Sequence, residues 1–426
     1  MTIQFTRYEI EGGYPLQGEV KLSGAKNAVL PAIAAACLGD KPTILNNVPI
    51  KLHDIRILIE ILQSLGAKID IQDSTLSCSR GSFPSGSVAL ELAKKIRYSL
   101  LLLGMAAAVG EELFLPLPGG CAIGNRKHDL HILGLRSLGH EIIEGEGGIR
   151  IKPGKGKGTA INLYLPTTSG TENIILAAVL AEGATEIRNA NTRPEVMELG
   201  RLLVAMGAEV DVRNRVVKII GVNHLKGGAS FTIMPGWDEA VTFLAVAGVT
   251  KGEIVIPGFD LRYVKSDIHH LRETGIEIFE WGGSVYATAK NSLKPFDLFT
   301  GPYPAINSDM QPIFAVLALM ASGESTITDM RFTERFGYTD ELRQFGANLD
   351  VYGNCAVIKG NSQLNGAANV KATDLRGGAA VVLCALAAQG KSSISNIYQI
   401  ERGYEQFDLK LRNLGAKITR LESSNE

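Results

Sequence analysis

The chain has 426 residues and 45% hydrophobic side chains, more than one ordinary core accommodates, so two or three domains are expected. Its 43 Lys and Arg against 44 Asp and Glu leave no global field to attract nucleic acid or an anionic membrane, and any anion site must be local. Five scattered cysteines (Cys37, Cys78, Cys121, Cys355 and Cys384) form no CxxC pair and no metal-ligand spacing, which reads as free thiols in a reducing compartment and no metal site.

From Met1 to Gly12 the chain is polar and mixed, with no basic stretch leading into an apolar run, so no signal peptide is expected and a cytoplasmic location is. Next, Leu22-Ser23-Gly24-Ala25-Lys26-Asn27-Ala28 opens an apolar helix over Val29 to Cys37. A helix start with a lysine offers N–H groups, a positive dipole end and a cation to an anion, although a solvated lysine on a capping turn fits the same residues. The most apolar segment, Tyr98 to Gly110, is shorter than the roughly 20 residues of a membrane span and is flanked by charges, so it reads as a buried helix.

One phrase recurs along the chain. Leu62 to Ile69 (LQSLGAKI) returns at Leu202 to Val210 and at Leu411 to Ile418, with weaker copies at Leu135 to Ile142, Leu271 to Ile278 and Leu342 to Leu349. The marked glycines, Gly66, Gly139, Gly207, Gly275, Gly346 and Gly415, lie 68 to 73 residues apart. A second glycine precedes each, at Gly39, Gly110, Gly183, Gly252, Gly323 and Gly390, after an Ala-rich run and before an alternating stretch. Six units therefore account for the chain, each read as helix, glycine stop, strand, loop, second helix, glycine and strand. A glycine just past a helix suits the left-handed position that closes it. Six units suit two α/β domains of three, 23–232 and 1–22 plus 233–426, with the crossing near Ser230 to Gly236 and ligand between the halves.

The second unit carries a longer connection than units three to five, Pro118-Gly119-Gly120-Cys121-Ala122-Ile123-Gly124-Asn125-Arg126-Lys127-His128-Asp129-Leu130-His131. Here Arg126, Lys127 and His128 are placed to lower the pKa of Cys121 below the free thiol value of about 8.5, and a surface turn with a bystander cysteine fits as well. Late in the chain, Asn307-Ser308-Asp309-Met310-Gln311, Thr373-Asp374-Leu375-Arg376 and Glu401-Arg402-Gly403-Tyr404-Glu405 set charges beside apolar helices. Taken singly, Asp309 reads as a helix cap and Arg376 and Arg402 as salt-bridge residues.

Together and in this order, LQGEVKLSGAKNAVLPAIAA (Leu16 to Ala35), PGGCAIGNR followed by DLHI, SDMQ, ATDLR and ERGYE make the chain resemble the UDP-N-acetylglucosamine 1-carboxyvinyltransferases, the MurA enzymes of peptidoglycan synthesis, over nearly its whole length. The resemblance implies two inside-out α/β barrels of three repeats each, with the active site in the cleft between them. It also implies enolpyruvyl transfer from phosphoenolpyruvate to the 3-hydroxyl of UDP-N-acetylglucosamine, with no cofactor and no metal, in a monomer without nucleic-acid or membrane partners.

By motif, Cys121 is the implied acid and the target of fosfomycin-type epoxides, and Asp309 the implied base. Lys26, Arg126 and Arg402 would grip phosphoenolpyruvate, with Asn27 and Arg376 lining the same cleft. Arg97, Lys127, His128, Asp129 and Leu130 would meet the nucleotide, Thr168 and Ser169 its diphosphate, and Arg331 the sugar. Lys127 and His128 stand where relatives have Pro-Val, and Leu165 to Thr171 lacks a lysine many relatives carry. Trp237-Asp238 falls in a segment that usually reads Pro-Asp-Arg-x-Glu. These departures keep two other readings in view: an enolpyruvyl transferase acting on another nucleotide or nucleotide sugar, and a non-catalytic nucleotide-sugar binding protein.

Overall fold

In a computed structural model, residues 5–81, 86–119, 127–145 and 147–423 are described. The described residues divide into two compact units, one holding 5–23 and 235–423, the other those between 24 and 234. Each unit contains three separate four-stranded sheets.

The repeat runs strand, helix, strand, helix, hairpin. In the unit's third copy, Ala160–Asn162 leads into the helix Thr168–Ala178, then Ala184–Arg188, the helix Pro194–Ala205, and the hairpin Glu209–Arg213 with Val216–Ile220. The lead strand pairs parallel to Ala184–Arg188, and that strand pairs antiparallel to the hairpin's second strand. The second hairpin strand and the lead strand are absent from the sequence reading. Short, half-exposed segments such as Val216–Ile220 give too little alternation to separate them from a loop.

Two sheets borrow strands across long stretches of chain. Phe5–Gly12 inserts between Gly390–Ser395 and Lys417–Ser423, so the N-terminal strand completes the last repeat. Gln17–Glu19 pairs parallel with Glu253–Pro257, and Ser230–Thr232 pairs parallel with Thr43–Asn46. The first repeat of each unit thus receives its lead strand from a remote part of the sequence.

The sheets are outside and the helices inside. Lys26–Ala36, Leu101–Val109 and Thr168–Ala178 pack on one another in one unit, and Trp237–Thr250, Gln311–Met320 and Leu375–Ala387 in the other. Such helices are apolar nearly all round: every residue of Trp237–Thr250 is buried, and so is all of Leu375–Leu386. A helix without a polar stripe has no solvent face and must sit at a centre. The strands alternate instead, as in Ala184–Arg188 and Glu253–Pro257, because one sheet face covers the helices and the other meets water. Among the described residues each sheet stays open rather than closing into a hydrogen-bonded barrel, so the inside-out character resides in the central helices. No helix is long and apolar enough to cross a membrane among these residues.

The six marked glycines all adopt positive φ, between 88° and 98°, closing the second helix of each repeat. The preceding set divides. Gly110, Gly183 and Gly390 are left-handed, whereas Gly39, Gly252 and Gly323 are not. At Gly252 the left-handed residue is Lys251 (φ 53°), and the glycine is required because a Cβ there would lie 2.0 Å from the Leu16 carbonyl oxygen.

Candidate functional site

Asp309 lies in a 3-10 turn, Ser308–Met310, that enters the buried helix Gln311–Met320. The turn is capped by Asn307, whose side chain accepts the Asp309 N–H at 3.1 Å, so the Asp309 carboxylate is not spent as a helix cap. Its Oδ1 accepts a hydrogen bond of 2.6 Å from Arg335, and its Oδ2 lies 3.7 Å from the Nε of Arg376. The Asp309 side chain is 25% exposed, while the two arginines are 4% and 1% exposed. A partly open carboxylate backed by two buried guanidiniums results.

Arg376 follows Asp374 at the start of Leu375–Ala387. Asp374 caps this helix by accepting from the backbone N–H groups of Arg376 and Gly377 at 3.0 and 3.2 Å. It also lies 3.7 Å from Arg335. Burial alone would lower the Arg335 pKa, but the carboxylates of Asp309 and Asp374 overcome it and hold the guanidinium above its ordinary value. The ring of Tyr404 sits 4.8 Å from the guanidinium carbon of Arg376. Nearby in sequence, Arg402 ends the short helix Tyr398–Glu401 and is 4% exposed, with Nη1 3.4 Å from Gln399 Oε1.

Asp309 and Arg376 are thus brought together, and with them Arg335, which no sequence motif names, and Asp238, which stands in the sequence only as a departure from the family's segment. Arg335 stands four residues after Arg331, and it is Arg335 that pairs with Asp309. Arg331 is half-buried, with its backbone N–H on Asp329 at 2.8 Å and its guanidinium 5.7 Å from the Phe332 ring. Asp238, in the first turn of Trp237–Thr250, forms an ion pair with Arg376. No local pattern reports a contact between residues so far apart in the chain.

The other unit holds the remaining described candidates. Lys26 is the first residue of Lys26–Ala36, preceded by Ala25 without a side-chain cap, and its Nζ meets Asp54 at 3.1 Å. Both side chains are nearly buried, at 10% and 6% exposure. Asn27 follows on the same helix and is half-buried. Arg97 opens a 3-10 turn and donates to the Lys127 carbonyl oxygen at 2.8 Å. His128 lies 3.2 Å from Glu144, and Asp129, at the start of Asp129–Ser137, accepts a hydrogen bond from Tyr164. Leu130 is buried beneath that turn.

Thr167 caps Thr168–Ala178 by accepting the Gly170 N–H at 3.3 Å. Thr168 Oγ1 accepts from Asn191 at 3.0 Å, and Ser169 Oγ is 3.2 Å from His131 Nε2. Burial, then the charge of Arg97, pushes the His131 pKa down to about 3, so this imidazole is neutral. Cys121 and Arg126 lie outside the described residues.

A family model described as EPSP synthase (3-phosphoshikimate 1-carboxyvinyltransferase) matches residues 10–411. The chain is 41% identical, over 99% of both chains, to a protein from Carboxydothermus hydrogenoformans named UDP-N-acetylglucosamine 1-carboxyvinyltransferase 1. It is 40% identical to the UDP-N-acetylglucosamine 1-carboxyvinyltransferase of Koribacter versatilis, over 97% of this chain and 96% of the relative. In fold it is similar to the enolpyruvyl transferase NikO from Streptomyces tendae, with a TM-score of 0.88 at 22% identity over 99% of this chain and 100% of the other. EPSP synthase from Acinetobacter baumannii superposes with a TM-score of 0.75 at 18% identity, over 98% and 100%. With the model spanning nearly its whole length and relatives of this identity covered end to end, the chain belongs to the EPSP synthase family of enolpyruvyl transferases.

Proposed function

We propose that this chain transfers the enolpyruvyl group of phosphoenolpyruvate to the 3-hydroxyl of UDP-N-acetylglucosamine, releasing phosphate, in the first committed step of peptidoglycan synthesis. The single observation that carries this reading is the end-to-end 41% identity to a protein named for that reaction. The cluster around Asp309 agrees with it: a carboxylate able to accept a proton, beside buried cations suited to the charge of phosphoenolpyruvate.

In this reading Asp309 accepts the proton of the 3-hydroxyl as its oxygen attacks C2 of phosphoenolpyruvate, and Cys121 delivers a proton to C3, making it a methyl group. The C2 centre is then a tetrahedral ketal. A methyl proton returns to the Cys121 thiolate and the proton held by Asp309 passes to the departing phosphate as the C2–O bond to phosphate breaks, which restores the vinyl group and both side chains and releases inorganic phosphate. Acid and base contributions of this kind are about 10²- to 10⁴-fold each. Lys26, Arg126 and Arg402 hold the phosphate and carboxylate, with Asn27 and Arg376 facing the same substrate. Arg97, Lys127, His128, Asp129 and Leu130 take the uridine end, Thr168 and Ser169 the diphosphate, and Arg331 the sugar. The enzyme works as a cytoplasmic monomer on small-molecule substrates, with no cofactor.

Phosphate release from phosphoenolpyruvate, measured with and without UDP-N-acetylglucosamine, tests the reading. Release should require the nucleotide sugar. Release that requires a different nucleotide or nucleotide sugar moves the acceptor, and binding without release under any acceptor refutes the transfer.

A further inference from the structure

Arg376 is 1% exposed, yet its Nε and Nη1 have no hydrogen-bond partner among the described residues. Buried guanidiniums rarely leave an edge unsatisfied, because each unpaired N–H forfeits its hydration without replacement. The group is nevertheless held on three sides. Nη2 is ion-paired with Asp238, the Tyr404 ring lies 4.8 Å from the guanidinium carbon, and Asp309 Oδ2 stops 3.7 Å from Nε, beyond hydrogen-bond range.

The holder is itself braced. Asp238 is 5% exposed and sits in the first turn of Trp237–Thr250, where the helix dipole favours a carboxylate. Its Oδ1 accepts the Glu239 N–H at 2.9 Å, which fixes the carboxylate relative to the helix. Thr242 donates to the Asp238 carbonyl oxygen at 2.8 Å and lies 2.8 Å from the Tyr404 hydroxyl. One threonine thus ties the anion beside Arg376 to the ring over it.

We propose that Asp238 is a positioning residue for Arg376: it anchors Nη2 so that the Nε–H and Nη1–H groups stay clear of Asp309 and available as separate donors to the anionic oxygens of phosphoenolpyruvate. This rests on the reading above in which Arg376 faces that substrate. Without the Asp238 charge, the carboxylate left beside the Arg376 guanidinium is Asp309, and a hydrogen bond from Nε to its Oδ2 consumes one of the open donors. The anion then competes with Asp309 for a guanidinium that the native chain reserves.

The test compares Asp238→Asn with Asp238→Glu in the full chain. For Asp238→Asn the KM for phosphoenolpyruvate should rise about tenfold, the loss expected for one charge-assisted contact, while kcat and the KM for the nucleotide sugar stay within about threefold. Asp238→Glu should recover part of the affinity. In an Arg376→Lys background, Asp238→Asn should add little. A merely structural role predicts instead a proportional loss of active protein with unchanged KM values, and that result, or full additivity with Arg376→Lys, overturns the proposal. A lower KM for phosphoenolpyruvate also overturns it, since Asp238 would then compete with the anion.

Anchoring is read separately by arginine side-chain NMR without substrate, with the Arg376 signals identified by their loss in Arg376→Lys. Separate Nη resonances in the native chain that average together in Asp238→Asn support anchoring. Averaged resonances in the native chain refute it. If the native chain shows no phosphoenolpyruvate-dependent turnover, the proposed function falls while this measurement still decides the anchor.

Discussion

Replacing Asp309 by Asn keeps the size and shape of the side chain and removes its ability to take a proton. The structural cost should be limited. The side chain is 25% exposed, and Arg335 keeps Asp374 at 3.7 Å, so the main loss is the charge on the 2.6 Å hydrogen bond from Arg335, with the longer 3.7 Å pairing to Arg376 weakened as well. Such a bond contributes about 1.5–3 kcal/mol, which lowers the melting temperature of this unit without unfolding it at 25 °C. The kinetic cost should be much larger. Loss of a general base lowers turnover about 10²- to 10⁴-fold, or roughly 3–5.5 kcal/mol of barrier. Stopped assays of phosphate release, with both substrates varied, should show kcat falling by that factor and each KM changing less than about threefold. A fall of less than tenfold in correctly folded protein would refute the assignment of Asp309 as base and leave it an electrostatic support for Arg335.

Cys121→Ala should abolish turnover and labelling by epoxide electrophiles while nucleotide-sugar binding, measured by calorimetry, persists; Cys121→Asp should retain activity, because a carboxyl group can also deliver a proton. Glu172 is fully buried with neither carboxylate oxygen hydrogen-bonded among the described residues, and burial, then the nearby Glu195 charge, pushes its pKa well up. The folded chain therefore keeps a proton that the unfolded chain releases above about pH 4.3, and stability is lost by about 1.4 kcal/mol for each pH unit over which that holds. Glu172→Gln should gain on the native chain in urea melts as pH rises from 5 to 8, and a pH-independent difference would contradict a protonated Glu172. His131 has the opposite sign: its depressed pKa makes stability complete above about pH 6.5 and progressively lost below it. His131→Gln should flatten the acid limb of the same melts, and an unchanged limb would show that this imidazole does not control it.

The sixfold repeat was legible because a helix-closing glycine leaves a mark that packing does not blur. All six glycines of the recurring phrase have the left-handed backbone that only glycine takes without strain. The buried helices were legible for a similar reason, since an apolar run such as Tyr98 to Gly110 has few alternatives. Less legible was the pairing of strands. Phe5–Gly12 belongs with Gly390–Ser395 and Lys417–Ser423, and nothing in its composition names partners so far away.

At the candidate site the motif order picked out Asp309 and Arg376, which the fold places 3.7 Å apart, whereas Arg335 went unnamed and Asp238 stood only as a departure from the family's segment. Arg335 lies in Arg331 to Phe336, where two arginines and a glutamate look alike as solvated charges until burial separates them. Asp238 lies in the first turn of its helix, where an acid is ordinary. Its role depends on a guanidinium brought up by another helix, which sequence spacing cannot register. Charged residues are informative in sequence when they cluster locally, and these four cluster only after folding.

Enolpyruvyl transfer forms a carbon–oxygen bond between the sugar's 3-hydroxyl and C2 of phosphoenolpyruvate. It is tested most directly by incubating the protein with ¹³C-labelled phosphoenolpyruvate and UDP-N-acetylglucosamine and recording ¹³C and ³¹P NMR spectra. A labelled vinyl ether should appear on the 3-oxygen, formed mole for mole with inorganic phosphate. Phosphate appearing with free pyruvate and an unchanged nucleotide sugar would contradict it.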